Sequence, residues 1–329
     1  MAANIPYFTF NNGQKIPSIG MGCWMGSPGG GETVEVMVKN ALKQHGYRHL
    51  DTVSRIDVLS YSNEEHVGKA IRDSGVPRED IFVTTKLPNK HHHMVRESFE
   101  TSLKALGLDY VDLYLIHWPQ SDTEQGEHIP CGQYPTVVDT WKQMEQLLDT
   151  GKVKSIGVSN FSIKTLTELL AQCTVVPATN QVEVHPCLPS FALQEFCAEK
   201  GILLTAYSPL GRPLPGQGKP IFFTDPDVLA IAERLGASPA QVVISWGVQR
   251  GIIVIPKSEN VERMKANITL VKLTEADMAL LSGIHTRPGM HKSLLTYHNY
   301  TDDGLIFGWT YEQLGWNMNK GGVVVVVDD

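Results

Sequence analysis

The sequence predicts an α/β fold, a (β/α)8 TIM barrel with an N-terminal hairpin and a C-terminal loop or tail. Three observations predict it. Eight short apolar runs bounded by turn residues alternate with amphipathic stretches of helical length, the pattern of a parallel sheet that closes on itself. Three successive runs end in polar side chains, Asp51, Lys86 and His117, and such ends converge most simply when the strands run parallel. The 329 residues suit one barrel of about 250 residues with additions, so a single domain over residues 1–329 is expected.

Taken in order, Tyr7-Phe8-Thr9-Phe10, Asn11-Asn12-Gly13 and Gln14-Lys15-Ile16-Pro17 read as strand, turn and strand. Barrel strands are buried on both faces, so length and flanking punctuation identify them better than alternation does. On that basis strands are expected at residues 19–21, 49–52, 81–86, 111–117, 155–158, 179–184, 203–207 and 252–255. Helices are expected at 32–43, 64–73, 95–106, 137–149, 164–170 and 191–200. Ser238-Pro239-Ala240-Gln241 opens another, with a capping box and proline at the first helical position. The Gly/Pro-rich stretches 26–31 and 213–220 follow strands and so belong to the face that carries the strand C-termini. The valine run at 323–327 is too short to span a membrane and reads as a frayed tail or an edge strand.

Composition narrows the function. A net charge of -7 offers no basic field for nucleic acid or an anionic membrane. Five cysteines without a Cys-x-x-Cys pair suit a reduced compartment and argue against a disulfide frame or thiolate zinc site. With no apolar N-terminal leader visible, a cytoplasmic location is expected. A small-molecule partner and a monomer or weak dimer are expected.

Lys86 is the most telling residue. An ammonium at the end of the apolar run 81–86 is costly unless something uses it. His91-His92-His93 looks like a metal cluster, but neighbours on a helix point different ways, so a solvated helix start is favoured and no metal is expected. Gly20-Met21-Gly22-Cys23-Trp24 is not the G-x-G-x-x-G fingerprint, and no Rossmann site is read from it.

A set of motifs runs along nearly the whole chain: Gly46-Tyr47-Arg48-His49-Leu50-Asp51-Thr52, Tyr61-Ser62-Asn63-Glu64, Thr85-Lys86-Leu87 and Leu115-Ile116-His117-Trp118-Pro119. It continues with Ile156-Gly157-Val158-Ser159-Asn160-Phe161, Asn180-Gln181-Val182-Glu183, Tyr207-Ser208-Pro209-Leu210-Gly211 and Ile255-Pro256-Lys257-Ser258. In content and order this set resembles the aldo-keto reductase superfamily. The resemblance implies a barrel that binds NADPH/NADP+ and reduces carbonyls, or oxidises the alcohols. It makes Tyr61 the general acid, Lys86 and Asp51 the pair that tunes it, and His117 the group that orients and polarises the carbonyl. An ammonium about 4 Å from the phenol, at an effective dielectric near 20, is worth roughly 4 kcal/mol, or about three pKa units before desolvation. The resemblance also implies that Ser159, Asn160 and Gln181 grip the carboxamide, with Tyr207 stacked on the nicotinamide and Ser208 and Leu210 on the cofactor. Lys257, Ser258 and Arg263 would take the 2′-phosphate and Asn267 the adenine, while Trp24 and Trp118 would line the substrate pocket. Each residue alone has a plainer reading: an ion pair, a hydrogen-bonded core histidine, a loop aromatic, a turn residue. The joint pattern favours catalysis.

One departure bears on activity. The family spacing sets the tyrosine five residues after the aspartate, where this chain has Ile56; Tyr61 comes ten after Asp51, so the segment 53–60 is five residues too long. Loop lengthening of this kind costs only on the order of 1 kcal/mol in closure entropy, so a bulged loop is feasible and the following helix is expected to anchor Tyr61 in its family place. The bulge would crowd the pocket rim, and the second reading is a catalytically impaired NADPH-binding module. The tail, with Tyr297-His298-Asn299-Tyr300 and Phe307-Gly308-Trp309-Thr310-Tyr311, resembles fungal members acting on glycerol, glyceraldehyde and sugar aldehydes. A metal-dependent barrel hydrolase is the weakest reading, since no ligand set is evident at the strand ends.

Overall fold

The first strands, β1 (Tyr7–Thr9) and β2 (Lys15–Pro17), pair antiparallel with Phe8 opposite Ile16. The structure is a computed structural model describing residues 5–25, 31–53, 63–213, 218–295, 298 and 304–325. After the hairpin come β3 (Met21–Gly22), α1 (Gly31–Gln44), β4 (His49–Asp51), α2 (Glu64–Ser74), β5 (Phe82–Leu87) and α3 (Val95–Leu106). Next are β6 (Val111–Ile116), α4 (Val137–Leu148), β7 (Val153–Ser159), α5 (Ile163–Leu170), β8 (Thr179–Glu183), α6 (Phe191–Glu199) and β9 (Leu203–Tyr207). Then follow α7 (Pro226–Leu235), α8 (Pro239–Gln249), β10 (Ile253–Ile255), α9 (Val261–Asn267) and α10 (Glu275–Ser282). The tail adds α11 (Tyr311–Leu314) and an antiparallel pair, β11 (Met318–Asn319) and β12 (Val323–Val324). The valine run thus contributes a strand at its start.

Strands β3 to β10 form one sheet in sequential order, every pair parallel. A parallel bridge between Ile19 and Val254 joins its two ends, with Gly20 N–H donating to Val254 O and Val254 N–H to Ser18 O. The expected (β/α)8 barrel is therefore what the chain forms.

Strand periodicity sorts the side chains. On β6, Leu113 and Leu115 face the barrel interior while Tyr114 and Ile116 face the helices. The interior fills in layers. Its base is apolar, with Phe82, Leu113 and Ile253 packed against Phe10 and Ile16 of the hairpin, which plugs the N-terminal end. Its middle holds short polar groups that satisfy one another, such as Thr179 Oγ1 with Thr205 Oγ1 at 2.8 Å. The same parity carries Phe82 and Thr84 up to Lys86, His49 up to Asp51, and Thr179 up to Gln181. Sequence spacing alone thus delivers Lys86, Asp51 and Gln181 to the open C-terminal end.

Helix α2 lies unusually close to α3. A Cβ built on Gly68 would sit 1.8 Å from the carbonyl oxygen of Leu106. Alanine would normally gain about 1 kcal/mol over glycine inside a helix. Here the clash forces the two helices apart, so Gly68→Ala is expected to lose about 1–3 kcal/mol net. Urea unfolding followed by circular dichroism checks this; a more stable variant would show that the contact is loose.

Candidate active site

At the C-terminal end of the barrel lies a cavity of about 600 Å³. Asp51, Lys86 and His117 line its floor. Trp24, Trp118, Asn160, Gln181, Tyr207, Ser208, Leu210 and Lys257, all singled out in the sequence, line it as well. Ser159 lies just beneath, its hydroxyl donating to Gln181 O at 2.7 Å.

The centre of the floor is an ion pair. Lys86 Nζ donates to Asp51 Oδ1 at 2.5 Å and to the Thr52 carbonyl at 2.9 Å. Gln181 Nε2 donates to the other carboxylate oxygen at 2.7 Å. Lys86 is 4% exposed and Asp51 6%, so the two charges are held away from water and depend on each other. His117 stands beside them. Burial first, then the Lys86 charge and His92, push its pKa down to about 3. A neutral imidazole results, able to donate one N–H to a carbonyl oxygen without carrying charge itself.

The amides form a second network. Asn160 Nδ2 donates to the His117 carbonyl at 2.9 Å, and its Oδ1 accepts from Tyr207 OH at 2.6 Å. The Tyr207 hydroxyl is thus tied back, leaving its ring as the part offered to the cavity. Asn160, Ser208 and Phe307 all hold positive φ (65°, 45° and 46°) and all line the cavity. Backbone strain in non-glycine residues concentrates here, as it does at functional sites.

Tyr61 and the longer segment before it lie outside the described residues, as do most of the two Gly/Pro-rich stretches. The start of α2, directly after that segment, is described, and it is tightly held. Asn63 occupies the N-cap position but makes no capping bond. Its Oδ1 instead accepts from Thr52 Oγ1 at 2.7 Å, and its Nδ2 donates to Cys23 O at 2.8 Å. Glu64 Oε1 accepts from Thr85 Oγ1 at 2.6 Å. Asn63 and Glu64 are therefore stitched to the ends of β3, β4 and β5, around the point where Lys86 emerges. Spacing gave no hint of this clamp.

Other expectations come out differently. His92 is fully buried with neither ring nitrogen partnered among the described residues, so the histidine run is not a solvated helix start. No group of three His, Cys, Asp or Glu among the described residues is arranged to hold a metal ion. Trp24 lines the cavity mouth while 45% exposed, with the Arg212 guanidinium 4.4 Å from its ring centroid. Trp118 lines the cavity as expected and also packs into a tail cluster with Ile306, Trp309 and Leu314, its ring 4.9 Å from that of Phe307. Lys257 pairs with Glu259, Ser258 Oγ accepts from Asn260 N–H at 3.2 Å, and Arg263 is exposed. Ser258, Arg263 and Asn267 lie outside the cavity lining. The Cys23 thiol is fully buried, and burial first, then Asp51, pushes its pKa far up, away from thiolate formation.

A model of the aldo/keto reductase family matches residues 18–285. The chain belongs to that family. It is 42% identical over 315 residues to D-galacturonate reductase of Hypocrea jecorina, covering 92% of this chain and 97% of the relative. It is 43% identical over 298 residues to glycerol 2-dehydrogenase (NADP(+)) of Saccharomyces cerevisiae, covering 85% and 91%. Among solved structures it resembles an aldo-keto reductase of the silkworm Bombyx mori in complex with NADP, with a TM-score of 0.77 and 36% identity over 85% of this chain and 93% of that one. No helix among the described residues is long and apolar enough to cross a membrane.

Buried histidines make the protein's stability pH-dependent. Burial lowers His49 and His298 to about 4, and His92 to about 3. Below pH ~6.5 the unfolded chain binds protons at these sites that the folded chain refuses. Their neutral-state stability is therefore complete above that pH and is lost as pH falls toward 4 and then 3. Each contributes a slope of up to about 1.4 kcal/mol per pH unit in that window. Urea midpoints measured between pH 7 and 4 should fall steadily; a flat profile would contradict the burial of these rings.

Proposed function

We propose that this protein reduces aldehydes and ketones, and catalyses the reverse alcohol oxidation, with NADPH/NADP+. The observation that carries the reading is the buried Lys86–Asp51 pair on the floor of a largely apolar cavity, beside a neutral His117. A structural ion pair would not need an open cavity above it.

The cavity suits a nicotinamide cofactor. Ser159, Asn160 and Gln181 bring hydroxyl and amide groups together at adjacent strand ends, the donor and acceptor set a carboxamide needs. The tied-back Tyr207 presents a ring for stacking. Ser208 and Leu210 would follow the cofactor along the wall. At the rim Lys257 would exchange Glu259 for the 2′-phosphate, joined by Ser258 and Arg263, with Asn267 at the adenine. Relatives named for NADP(+) and a neighbour solved with NADP support that choice. When bound, the nicotinamide supplies the hydride for the carbonyl carbon.

The protein residues supply the rest. His117 donates a hydrogen bond to the carbonyl oxygen, orienting and polarising it. Tyr61 delivers the proton that the developing alkoxide needs. Lys86, held by Asp51, favours the phenolate and so makes Tyr61 a usable acid at neutral pH. The apolar walls at Trp24 and Trp118 exclude water from the reacting centre.

The test is spectrophotometric: NADPH consumption against a panel of short aldehydes, with cofactor affinity measured separately by fluorescence. Turnover is expected. Tight NADPH binding without turnover on any substrate would instead support the impaired binding module that the longer 53–60 segment suggests.

A further inference from the structure

Glu183 is one of several buried carboxylates that the mechanism above does not use. Glu183, the last residue of β8, is 4% exposed and sits two residues beyond Gln181, on the same strand face. Its carboxylate is held by the C-terminal segment and by nearby His185. Ser293 Oγ donates to Oε2 at 2.5 Å, the Leu294 amide donates to Oε1 at 2.8 Å, and His185 Nε2 lies 2.8 Å from the same oxygen. Burial alone would raise the Glu183 pKa, but the bonds from His185, Ser293 and Leu294 outweigh it and hold the group below its ordinary range. A charged acceptor in this setting gives stronger hydrogen bonds than a neutral one.

These bonds fix more than the tail. Leu295 lines the cavity, and its amide donates to the same Ser293 hydroxyl at 3.1 Å. Leu294 packs over Gly211, in the cavity wall after β9, so closely that a Cβ there would lie 2.5 Å from Leu294 Cδ1. Further along, Ser293 N–H donates to Gly322 O and Lys292 N–H to Cys187 O. One carboxylate thus ties the strand that carries Gln181 to the segment that supplies the Leu295 wall.

We propose that Glu183 is a positioning residue for substrate selection: by clamping Ser293 and Leu294 it sets where Leu295 stands and so how bulky a carbonyl substrate the cavity admits. The inference rests on the cavity being the carbonyl site proposed above. Loss of the clamp frees the Leu295 wall and enlarges the cavity on that side. Bulky substrates then gain relative to small ones, while the Lys86–Asp51–His117 floor is untouched.

The experiment compares kcat/KM for phenylacetaldehyde and propanal in the 329-residue chain, for wild type, Glu183→Ala, Leu295→Ala and the double variant. In Glu183→Ala the bulky-to-small ratio is expected to rise about tenfold, mainly through KM for the bulky aldehyde. Leu295→Ala should shift the ratio in the same direction, and the double variant should exceed it by less than about twofold, because both act on one wall. Glu183→Gln keeps an acceptor and should restore most of the wild-type ratio. If Glu183→Ala does not fold, Ser293→Ala removes one clamp bond and should move the ratio the same way by a smaller factor. An unchanged ratio in folded Glu183→Ala or Ser293→Ala, or effects of Glu183→Ala and Leu295→Ala that simply multiply, would overturn the proposal. Absence of any turnover in the wild type would instead strike at the reductase reading, so the two failures are distinguishable.

Discussion

Tyr61→Phe is expected to lower kcat for aldehyde reduction by about 10²–10⁴-fold, the usual worth of a positioned general acid, with NADPH affinity changed by less than about twofold. The substitution removes one oxygen and leaves the ring, so a loss confined to kcat isolates proton delivery from packing. The pH profile gives a second readout: wild-type reduction should fall as the acid loses its proton, and that limb should vanish in the variant. The structure supports the assignment from the residues that follow Tyr61. Asn63 and Glu64 are bonded to the ends of β3, β4 and β5 next to Lys86, so the chain re-enters the site at a fixed point whatever the length of segment 53–60. Equal rates for wild type and variant would mean that another group, or water, supplies the proton.

Much of the fold was legible because its signals are local. Strand spacing placed β9 at 203–207 and helix periodicity placed α3 at 95–106, both with the observed bounds. The Ser238–Gln241 capping box opens α8 through reciprocal bonds of about 3 Å, as expected of that motif. Other helices escaped. Asp225-Pro226 caps α7, Asn260 caps α9 and Thr274 caps α10, each a readable start signal before a short helix. The floor of the site was legible for a different reason: a charge ending an apolar strand has few innocent explanations, and a period of two carries it to the open end of the barrel. What could not be read were contacts across large sequence separation. The Glu183–Ser293 clamp spans 110 residues, and nothing local to either residue announces it. Asn63 shows the opposite trap, since its position next to a helix start suggests a cap while its side chain bonds elsewhere. His92 sits in a polar run and is nevertheless fully buried, because the turn at Asn89–His91 directs it inward.

Lys86→Met is expected to abolish measurable turnover and, separately, to destabilise the fold by about 3–5 kcal/mol. The first effect follows from the proposed mechanism: there, without the ammonium nothing favours the phenolate, and the acid returns toward an ordinary phenol too weak to serve at neutral pH. The second follows from burial. Asp51 is 6% exposed, and its Oδ1 would lose the 2.5 Å bond that balances its charge, while Gln181 stays on Oδ2. The two effects come apart in the double variant Lys86→Met/Asp51→Asn, which removes both charges. Its stability should recover most of the loss, since a buried pair replaced whole costs far less than a pair broken by half. Its activity should not recover, because the tuning charge is still missing. Urea denaturation and NADPH turnover on the same three proteins measure both quantities. A double variant that regained activity along with stability would show that Lys86 serves only to neutralise Asp51, and that the pair is architecture, not catalysis.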